Sequence, residues 1–315
     1  MHRVKESTVN SYDGASIYYR SWGEGLPMVL CDGIGCDGYV WKYLTNHLEK
    51  SNRFVHWHYR GHGKTPPPEN MNHLTIQDCC RDLAAVMDDD GVDKAVILGH
   101  SMGSQVILEF YRMYPERVLG LIPICGSYGY PLDTFHDNKT LKTLFPFLYP
   151  VFVLFPEPLE VLWKRIIPTK FSLWIAKHTE INGRLIDNKD FMPYFEHISK
   201  MSLRLFAKML DHASQHTCED ILHKIDVPVL IVAAPKDTFT PMWLSEKMKK
   251  EIPGSEMLLV PEGTHTAPIE MPELVCLRIE KWLLDHYPEQ AERQYPRPKT
   301  AKEKEKAKLR LVHGA

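Results

Sequence analysis

The sequence predicts an α/β protein with a mostly parallel central sheet and an inserted helical block. Short apolar strands alternate with helical segments from residue 27 to residue 125, as they do in parallel sheets that are covered on both faces. The alternation stops between residues 126 and 218, where aromatic residues, Met and Pro are frequent, and then resumes. At 315 residues the chain is long enough for one large domain with an insertion.

Each predicted element has its own signal. The Asp13-Gly14 turn predicts a β-hairpin, short apolar runs predict buried strands, and Pro115 ends the helix before it. The predicted elements, in chain order, are strands 9–11, 16–20 and 27–31, helix 40–49, strand 53–58, helix 76–88, strand 94–98, helix 102–114, strand 118–125, a mostly helical block 126–218, strands 227–233 and 256–260, and helix 272–286.

The same pattern predicts how the chain is divided. Residues 1–125 and 219–288 form one α/β core, residues 126–218 are the insertion, and residues 289–315 are a charged tail. The tail has eight Lys or Arg, four Glu and almost no apolar residue before Leu309, which is typical of a solvated, flexible segment. Contact of this basic tail with a partner or with anionic lipid is the alternative.

Composition excludes several classes of protein. Hydrophobic residues make up 44% and charged residues 25% of the chain, and the net charge of −2 gives no attraction to nucleic acid. Seven cysteines without a C-x-x-C pair argue against a disulfide framework or a zinc site and favour a reducing, cytoplasmic location. The N-terminus lacks the apolar stretch of a signal peptide. The apolar run 144–155 is shorter than the roughly 20 residues of a membrane span.

The strongest chemical signal is the pentapeptide Gly99-His100-Ser101-Met102-Gly103. It follows an apolar strand and opens a helix, and this context supports a nucleophilic serine. A sharp turn from strand to helix strains the backbone of Ser101 and requires small residues two positions to either side. The turn would lift the Ser101 hydroxyl above the sheet edge, at a helix N-terminus that favours negative charge.

A serine hydroxyl needs a base and a group that orients the base. Asp237 follows the apolar strand 227–233, and His265 lies on the loop after strand 256–260. Groups that follow the carboxyl ends of parallel strands meet on one rim of the sheet. The chain order Ser, Asp, His at strand ends therefore predicts a catalytic triad.

With these residues, the chain resembles the α/β-hydrolase superfamily. The matching motifs are GHSMG at 99–103, RGHG at 60–63, Asp237 after its strand, and GTH at 263–265, over residues 9–125 and 220–287. The resemblance implies that the insertion is a helical cap, that Ser101 is the nucleophile, His265 the general base and Asp237 its orienting acid. Asp133 is a weaker candidate for the acid. A serine nucleophile argues against epoxide hydrolases and haloalkane dehalogenases, which place Asp at that position.

The resemblance also assigns the glycine-rich loop CDGIGCDG at residues 31–38. It implies an oxyanion hole formed by the backbone amides of Ile34 and Met102. Gly33 and Gly35 would let the loop turn its N–H groups inward. We expect no metal and no organic cofactor to be required.

The loop departs from the family pattern at Asp32 and His58. The family often has His before the first loop glycine and Asp at the start of the RGHG loop, whereas this chain has Asp32 and His58, with the residue types exchanged. We hypothesise that Asp32 and His58 pair and hold the oxyanion loop, because a lone carboxylate there would disfavour the developing oxyanion. Two independent turn residues are the alternative.

Other interpretations of the loop are weaker. Gly33-x-Gly35-x-x-Gly38 has the spacing of a dinucleotide cradle, but the next strand ends in His58 rather than in the acid that would bind the ribose. A metal between Asp32 and Asp37 would lack a third ligand. Cys31 and Cys36 are expected to be packing residues.

The expected function is cleavage of a carboxylic ester or lactone of a small hydrophobic molecule, through an acyl-enzyme on Ser101. The aromatic residues of the insertion favour an apolar substrate, since those that do not pack its core would line an acyl pocket. C–C bond hydrolysis, thioester hydrolysis and perhydrolase or haloperoxidase chemistry use the same triad and remain alternatives. A non-catalytic ligand receptor on this fold is an alternative from another class.

Overall fold

The computed structural model describes residues 4–289, and the tail predicted at 289–315 lies outside these residues except for its first position. An eight-stranded sheet has the order β1-β2-β4-β3-β5-β6-β7-β8. Its strands are β1 (Lys5–Asn10), β2 (Ser16–Gly23), β3 (Leu26–Cys31), β4 (Asn52–Trp57), β5 (Ala95–His100), β6 (Val118–Ile124), β7 (Leu230–Ala233) and β8 (Glu256–Leu259). β2 pairs antiparallel with β1 and β4, and the remaining pairs are parallel. The predicted α/β fold with a mostly parallel sheet is confirmed.

Six helices form the core layers and six lie between β6 and β7. The core helices are α1 (Lys42–Leu48), α2 (Ile76–Asp89), α3 (Met102–Met113), α10 (Met242–Glu251), α11 (Ala267–Glu270) and α12 (Pro272–His286). The six between β6 and β7, which we call the cap, are α4 (Pro131–Thr134), α5 (Thr140–Leu154), α6 (Pro156–Ile166), α7 (Lys170–Thr179), α8 (Asn188–Ile198) and α9 (Leu203–Gln215).

Strand alternation divides the interior into two apolar clusters, one on each face of the sheet. Val29 and Ile97 belong to the cluster that packs under α2 and α3. Their neighbours Met28 and Val96 belong to the cluster that packs under α1 and α12. Burial on both faces explains why the central strands are continuous apolar runs in the sequence.

Two strand boundaries differ most from the prediction. β1 begins at Lys5 rather than at residue 9, because this exposed edge strand carries few apolar residues that would reveal it. β7 begins at Leu230 rather than at residue 227, since Pro228 has no backbone N–H to donate to a sheet. Both differences lie away from the carboxyl ends of the parallel strands.

Among the helices within residues 4–289, no single one is both long and apolar enough to cross a bilayer. Helices α5 and α6, bent by 100° at their junction, together have the length and apolar composition of a span.

Candidate active site

The turn from β5 into α3 places Ser101 in a strained backbone conformation. Its φ of 55° and ψ of −121° are unfavourable for a residue with a Cβ. A Cβ at Gly99 would lie 2.3 Å from the carbonyl oxygen of Gly103, and a Cβ at Gly103 would lie 2.2 Å from that of Cys31. The two glycines therefore allow the tight turn, as the sequence predicted.

Asp237 and His265 follow the ends of β7 and β8 and meet Ser101 on one rim of the sheet. The Ser101 Oγ lies 2.9 Å from His265 Nε2. The His265 Nδ1 lies 3.0 Å from both carboxylate oxygens of Asp237. This arrangement lets the hydroxyl donate to Nε2 while Nδ1–H donates to the carboxylate, which fixes the imidazole tautomer.

The Asp237 carboxylate is buried and held by its own loop. Its Oδ1 accepts hydrogen bonds from the backbone amides of Phe239 and Thr240 at 2.9 and 2.8 Å. Its Oδ2 accepts one from the Thr240 hydroxyl at 2.6 Å. The Phe239 ring stacks on the His265 imidazole with centroids 4.7 Å apart. These contacts hold the Asp237 carboxylate in place and fix the orientation of the His265 ring.

The loop after β3 lies against Ser101. A Cβ at Gly33 would be 3.0 Å from the Ser101 Cβ, so only glycine allows this approach. The backbone amides of Ile34 and Met102 donate no hydrogen bond to any residue within 4–289. Gly35 has a φ of 74°, and its amide donates to His62 Nε2 at 2.9 Å. The two amides expected to bind an oxyanion thus have no partner in the described chain.

The predicted pairing of Asp32 with His58 is wrong, because Asp32 pairs with His56. Asp32 Oδ2 lies 2.8 Å from His56 Nε2, and Trp41 Nε1–H donates to Oδ1 at 2.6 Å. All three side chains are buried. Burial opposes charge on Asp32, but the neighbouring His56 imidazole keeps the pKa of this carboxyl below its usual value.

The register of the sheet explains the error. Leu30 lies opposite His56, so an extended register would place Asp32 opposite His58. However, β3 ends at Cys31 and β4 at Trp57, so the register between these two strands does not extend to Asp32 and His58. The Asp32 carboxylate is instead bonded to His56, inside β4. His58 Nδ1 accepts a hydrogen bond from the amide of Lys64 at 2.9 Å.

Three functional contacts were missed by sequence reasoning. The Tyr59 hydroxyl donates to the Asp32 carbonyl at 2.8 Å. His62 Nε2 accepts a hydrogen bond from the Gly35 amide, and His62 Nδ1–H donates one to the Arg60 carbonyl at 3.1 Å. His100 Nε2–H donates to the His265 carbonyl at 2.9 Å. The RGHG motif contained the signal for His62, but nothing in the sequence indicated which loop it contacts.

Burial keeps these two histidines neutral. It lowers the pKa of His62 to about 4 and that of His100 to about 4. Since a protonated His62 could no longer accept the Gly35 amide at Nε2, the loop geometry depends on a neutral ring. The catalytic rim is therefore supported by buried, uncharged imidazoles.

The site opens into an apolar cavity between the sheet rim and the cap. The cavity has a volume of about 540 Å³ and contains Ser101, His265 and Ile34 at its polar end. Its remaining wall is mainly aromatic and aliphatic, with contributions from cap residues that include Phe145, Phe152, Phe191, Phe195 and Phe206. This volume suits a small organic ligand with a large apolar portion.

The weaker alternatives have other contacts in the structure. Asp133 forms an ion pair with Lys142 rather than with His265. Asp37 lies 3.2 Å from His197, whereas Asp32 is bonded to His56 and Trp41. The two carboxylates proposed to share a metal therefore have separate partners. All seven cysteines are free and buried, Cys31 and Cys36 among them.

Ser101, His265 and Asp237 are joined by hydrogen bonds on the rim of the sheet, and Ser101 lies at a strand-to-helix turn. This combination is typical of one class of α/β proteins. A family model described as the alpha/beta hydrolase fold matches residues 27–272. The chain belongs to the α/β-hydrolase family.

Individual proteins are similar over most of the chain. Bifunctional epoxide hydrolase 2 of Mus musculus is 23% identical over 309 residues, which cover 89% of this chain and 55% of that protein. The chain thus spans about half the length of this relative. An esterase from Exiguobacterium antarcticum has a TM-score of 0.71 at 19% identity, covering 89% of this chain and 99% of its own. A thermophilic esterase from Thermogutta terrifontis has a TM-score of 0.72 at 22% identity, covering 90% and 99%. At these identities the structural likeness shows the fold.

Proposed function

We propose that the protein is a serine hydrolase that cleaves a carboxylic ester or lactone of a small hydrophobic molecule. The observation that carries this proposal is the hydrogen-bonded series Ser101, His265 and Asp237 at the polar end of the apolar cavity. A carbonyl placed there would have a nucleophile on one side and the amides of Ile34 and Met102 on the other. The apolar wall would take the acyl or alkyl portion.

The proposed reaction proceeds in two steps. His265 Nε2 accepts the Ser101 proton while Oγ bonds to the substrate carbonyl carbon, and the tetrahedral oxyanion is bound by the two amides. The C–O bond to the leaving alcohol then breaks as His265 returns the proton to that oxygen. In the second step His265 takes a proton from water, whose oxygen bonds to the acyl carbonyl carbon. The C–O bond to Ser101 then breaks, the acid leaves, and His265 returns the proton to Ser101 Oγ. Each donor of an oxyanion hole contributes on the order of 3 kcal/mol to such a reaction.

The chemistry of serine favours an acyl substrate over an epoxide. Attack of Ser101 Oγ on an epoxide carbon would leave an ether, which water does not readily hydrolyse. Attack on an ester carbonyl leaves an ester on Ser101, which the same base and oxyanion hole can hydrolyse. We therefore do not transfer the epoxide hydrolase activity named for the Mus musculus relative.

A substrate panel tests the proposal. Purified protein is incubated with p-nitrophenyl esters of graded chain length, with lactones and with acyl thioesters, beside the Ser101→Ala variant. We expect ester or lactone turnover that increases with chain length up to the limit set by the cavity and is abolished by Ser101→Ala. Turnover of thioesters alone, or equal turnover by both proteins, would reject the assignment.

A further inference from the structure

Helix α5 carries two apolar stripes, one that lines the cavity and one that faces solvent. Leu141, Phe145, Leu148 and Phe152, spaced by three and four residues, line the catalytic cavity. Leu144, Phe147, Val151 and Leu154 have the same spacing but are exposed. A helix that is apolar on all sides is normally buried in a protein or in lipid. Within residues 4–289, however, no other part of the chain covers the outer stripe of α5.

The exposed apolar surface continues into α6 and α7. Of the 19 exposed large hydrophobic side chains in residues 4–289, 12 lie between residues 144 and 175. We call these 12 side chains the cap patch, and one of them, Leu148, also lines the cavity. They include Phe147, which is 74% exposed, together with Phe155 and Trp174. Soluble monomers rarely expose such a concentration of large apolar side chains without a binding partner.

The charge around the cap patch is positive, unlike that of the whole chain. Residues 139–177 contain six Lys or Arg and two Glu, whereas the full sequence has a net charge of −2. Lys139, Lys142, Lys164, Arg165 and Lys170 are exposed on the same three helices or at their ends. Aromatic and aliphatic side chains flanked by cations are typical of surfaces that insert into anionic lipid.

We propose that the cap patch docks on the surface of an anionic phospholipid bilayer. The apolar side chains of α5, α6 and α7 enter the boundary between headgroups and acyl chains, and the surrounding cations contact the phosphates. Because the inner stripe of α5 lines the cavity, docking brings the outer face of this part of the cavity wall against the lipid. Resting on the proposed hydrolase function, we infer that the hydrophobic substrate passes from the bilayer into the cavity beside α5.

A bilayer fits the surface better than a second copy of the chain. A symmetric dimer formed through the cap patch would bring two positively charged surfaces together, and their repulsion would oppose the apolar contact. An anionic bilayer offers the complementary charge. Trp174, whose ring stacks on that of Phe171 with centroids 6.2 Å apart, is a residue type that is favoured at membrane–water interfaces.

Vesicle binding by the full chain tests the docking. Wild type is sedimented with vesicles of phosphatidylcholine alone and of phosphatidylcholine with an equal amount of phosphatidylglycerol. The triple variant Phe147→Ser, Leu154→Ser, Phe155→Ser removes part of the patch without changing a cavity-lining residue. The control variant, Leu277→Ser with Leu259→Ser, changes exposed hydrophobic residues outside the cap.

We expect wild type and the control to bind the anionic vesicles, and the triple variant to bind at least tenfold more weakly. All variants keep the basic C-terminal tail, which could bind anionic lipid by itself. Unchanged binding by the triple variant would therefore overturn the proposal. So would equal binding of wild type to both vesicle compositions. Light scattering in lipid-free buffer provides a further test, because a stable dimer that the triple variant dissociates would assign the patch to a second copy of the chain.

Two substrates separate this proposal from the proposed function. Hydrolysis of a short, water-soluble ester should be the same in wild type and the triple variant, whereas hydrolysis of a long-chain ester dispersed in anionic vesicles should fall at least tenfold in the variant. If neither protein hydrolyses any ester but vesicle binding still depends on the patch, the docking stands and the hydrolase assignment fails. Equal hydrolysis of the vesicle-borne ester by both would reject substrate entry through docking.

Discussion

The rim of the sheet buries charged groups, whereas the cap exposes apolar ones. On the rim, the carboxylates of Asp32 and Asp237 are buried and each accepts hydrogen bonds from at least two groups. In the cap, large apolar side chains such as Phe147 and Leu154 face solvent. For the proposed hydrolase, this difference assigns the geometry of the reaction to the core and the contacts with apolar molecules to the cap. Variants of the two regions should therefore fail in different ways.

The largest expected effect comes from the acid on the rim. In Asp237→Asn an amide N–H₂ would face His265, so the ring would carry its proton on Nε2 and could not accept one from Ser101. We expect kcat for a p-nitrophenyl ester to fall on the order of 10⁴-fold while the protein stays folded. Steady-state kinetics and far-UV circular dichroism provide the measurements. A loss below tenfold would separate Asp237 from catalysis.

The second effect tests the corrected partner of Asp32. Asp32→Ala leaves the buried N–H groups of Trp41 and His56 without an acceptor, which should cost on the order of 3 kcal/mol in the free energy of unfolding. His58→Ala leaves only the Lys64 amide unpaired and should cost about 1 kcal/mol. Urea denaturation measures both. In double-mutant cycles, coupling of Asp32 to His56 should exceed coupling of Asp32 to His58, and the reverse order would restore the original pairing.

Acid should weaken the rim, because its buried histidines must take up protons. The pKa values of His62 and His100 are about 4 when folded, below the value of about 6.5 in an unfolded chain. Between these pH values the unfolded state binds more protons, so stability is present near pH 7 and falls as pH decreases toward 4. Each histidine contributes up to about 1.4 kcal/mol per pH unit.

Melting temperatures measured from pH 7 to pH 4 test this direction for the whole protein. His62→Gln removes one titrating group and keeps a side chain that can accept the Gly35 amide. Its melting temperature should therefore depend less steeply on pH than that of wild type. An equal slope in both proteins would show that His62 does not titrate in this range.

A change in the cap should alter substrate preference rather than the reaction. Phe152→Ala enlarges the cavity and removes an apolar contact with the substrate. We therefore expect kcat/KM for a long-chain ester to fall about tenfold relative to that for a short one. Phe147 is an exposed residue of α5 that does not line the cavity. Phe147→Ala is therefore the matched control for soluble esters. Competition between two monomeric esters measures the ratio. An equal decrease of kcat/KM for both esters in Phe152→Ala would contradict a role of the cap in substrate preference.

The smallest effect concerns strain at the nucleophile. Glycine tolerates the φ of 55° found at Ser101, so Ser101→Gly should unfold with about 1 kcal/mol more free energy than Ser101→Ala, although both lack turnover. Chemical denaturation of the two inactive variants supplies the comparison. If Ser101→Gly is the less stable variant, the turn holds no strain that glycine can release.

The sequence predicted the core well because its signals are local. Alternating strands and helices and the glycines around Ser101 each act within a few residues, and chain order placed Asp237 and His265 at strand ends. The Asp32 pairing failed because it depends on how two loops leave the sheet, which strand register does not determine. The insertion was predicted to be mostly helical, but the two apolar stripes of α5 were not predicted. Periodicity alone also could not distinguish the stripe that lines the cavity from the exposed one.

Labelling with a fluorophosphonate tests the central claim most directly, because the probe reacts only with a serine that an adjacent base has activated. The account predicts one covalent adduct per wild-type chain, located on Ser101 by peptide mass spectrometry. It also predicts no adduct on Ser101→Ala and strongly slowed labelling of His265→Gln. Folded wild-type protein that stays unlabelled, or labelling that persists in Ser101→Ala, would contradict a serine nucleophile on the rim of this sheet.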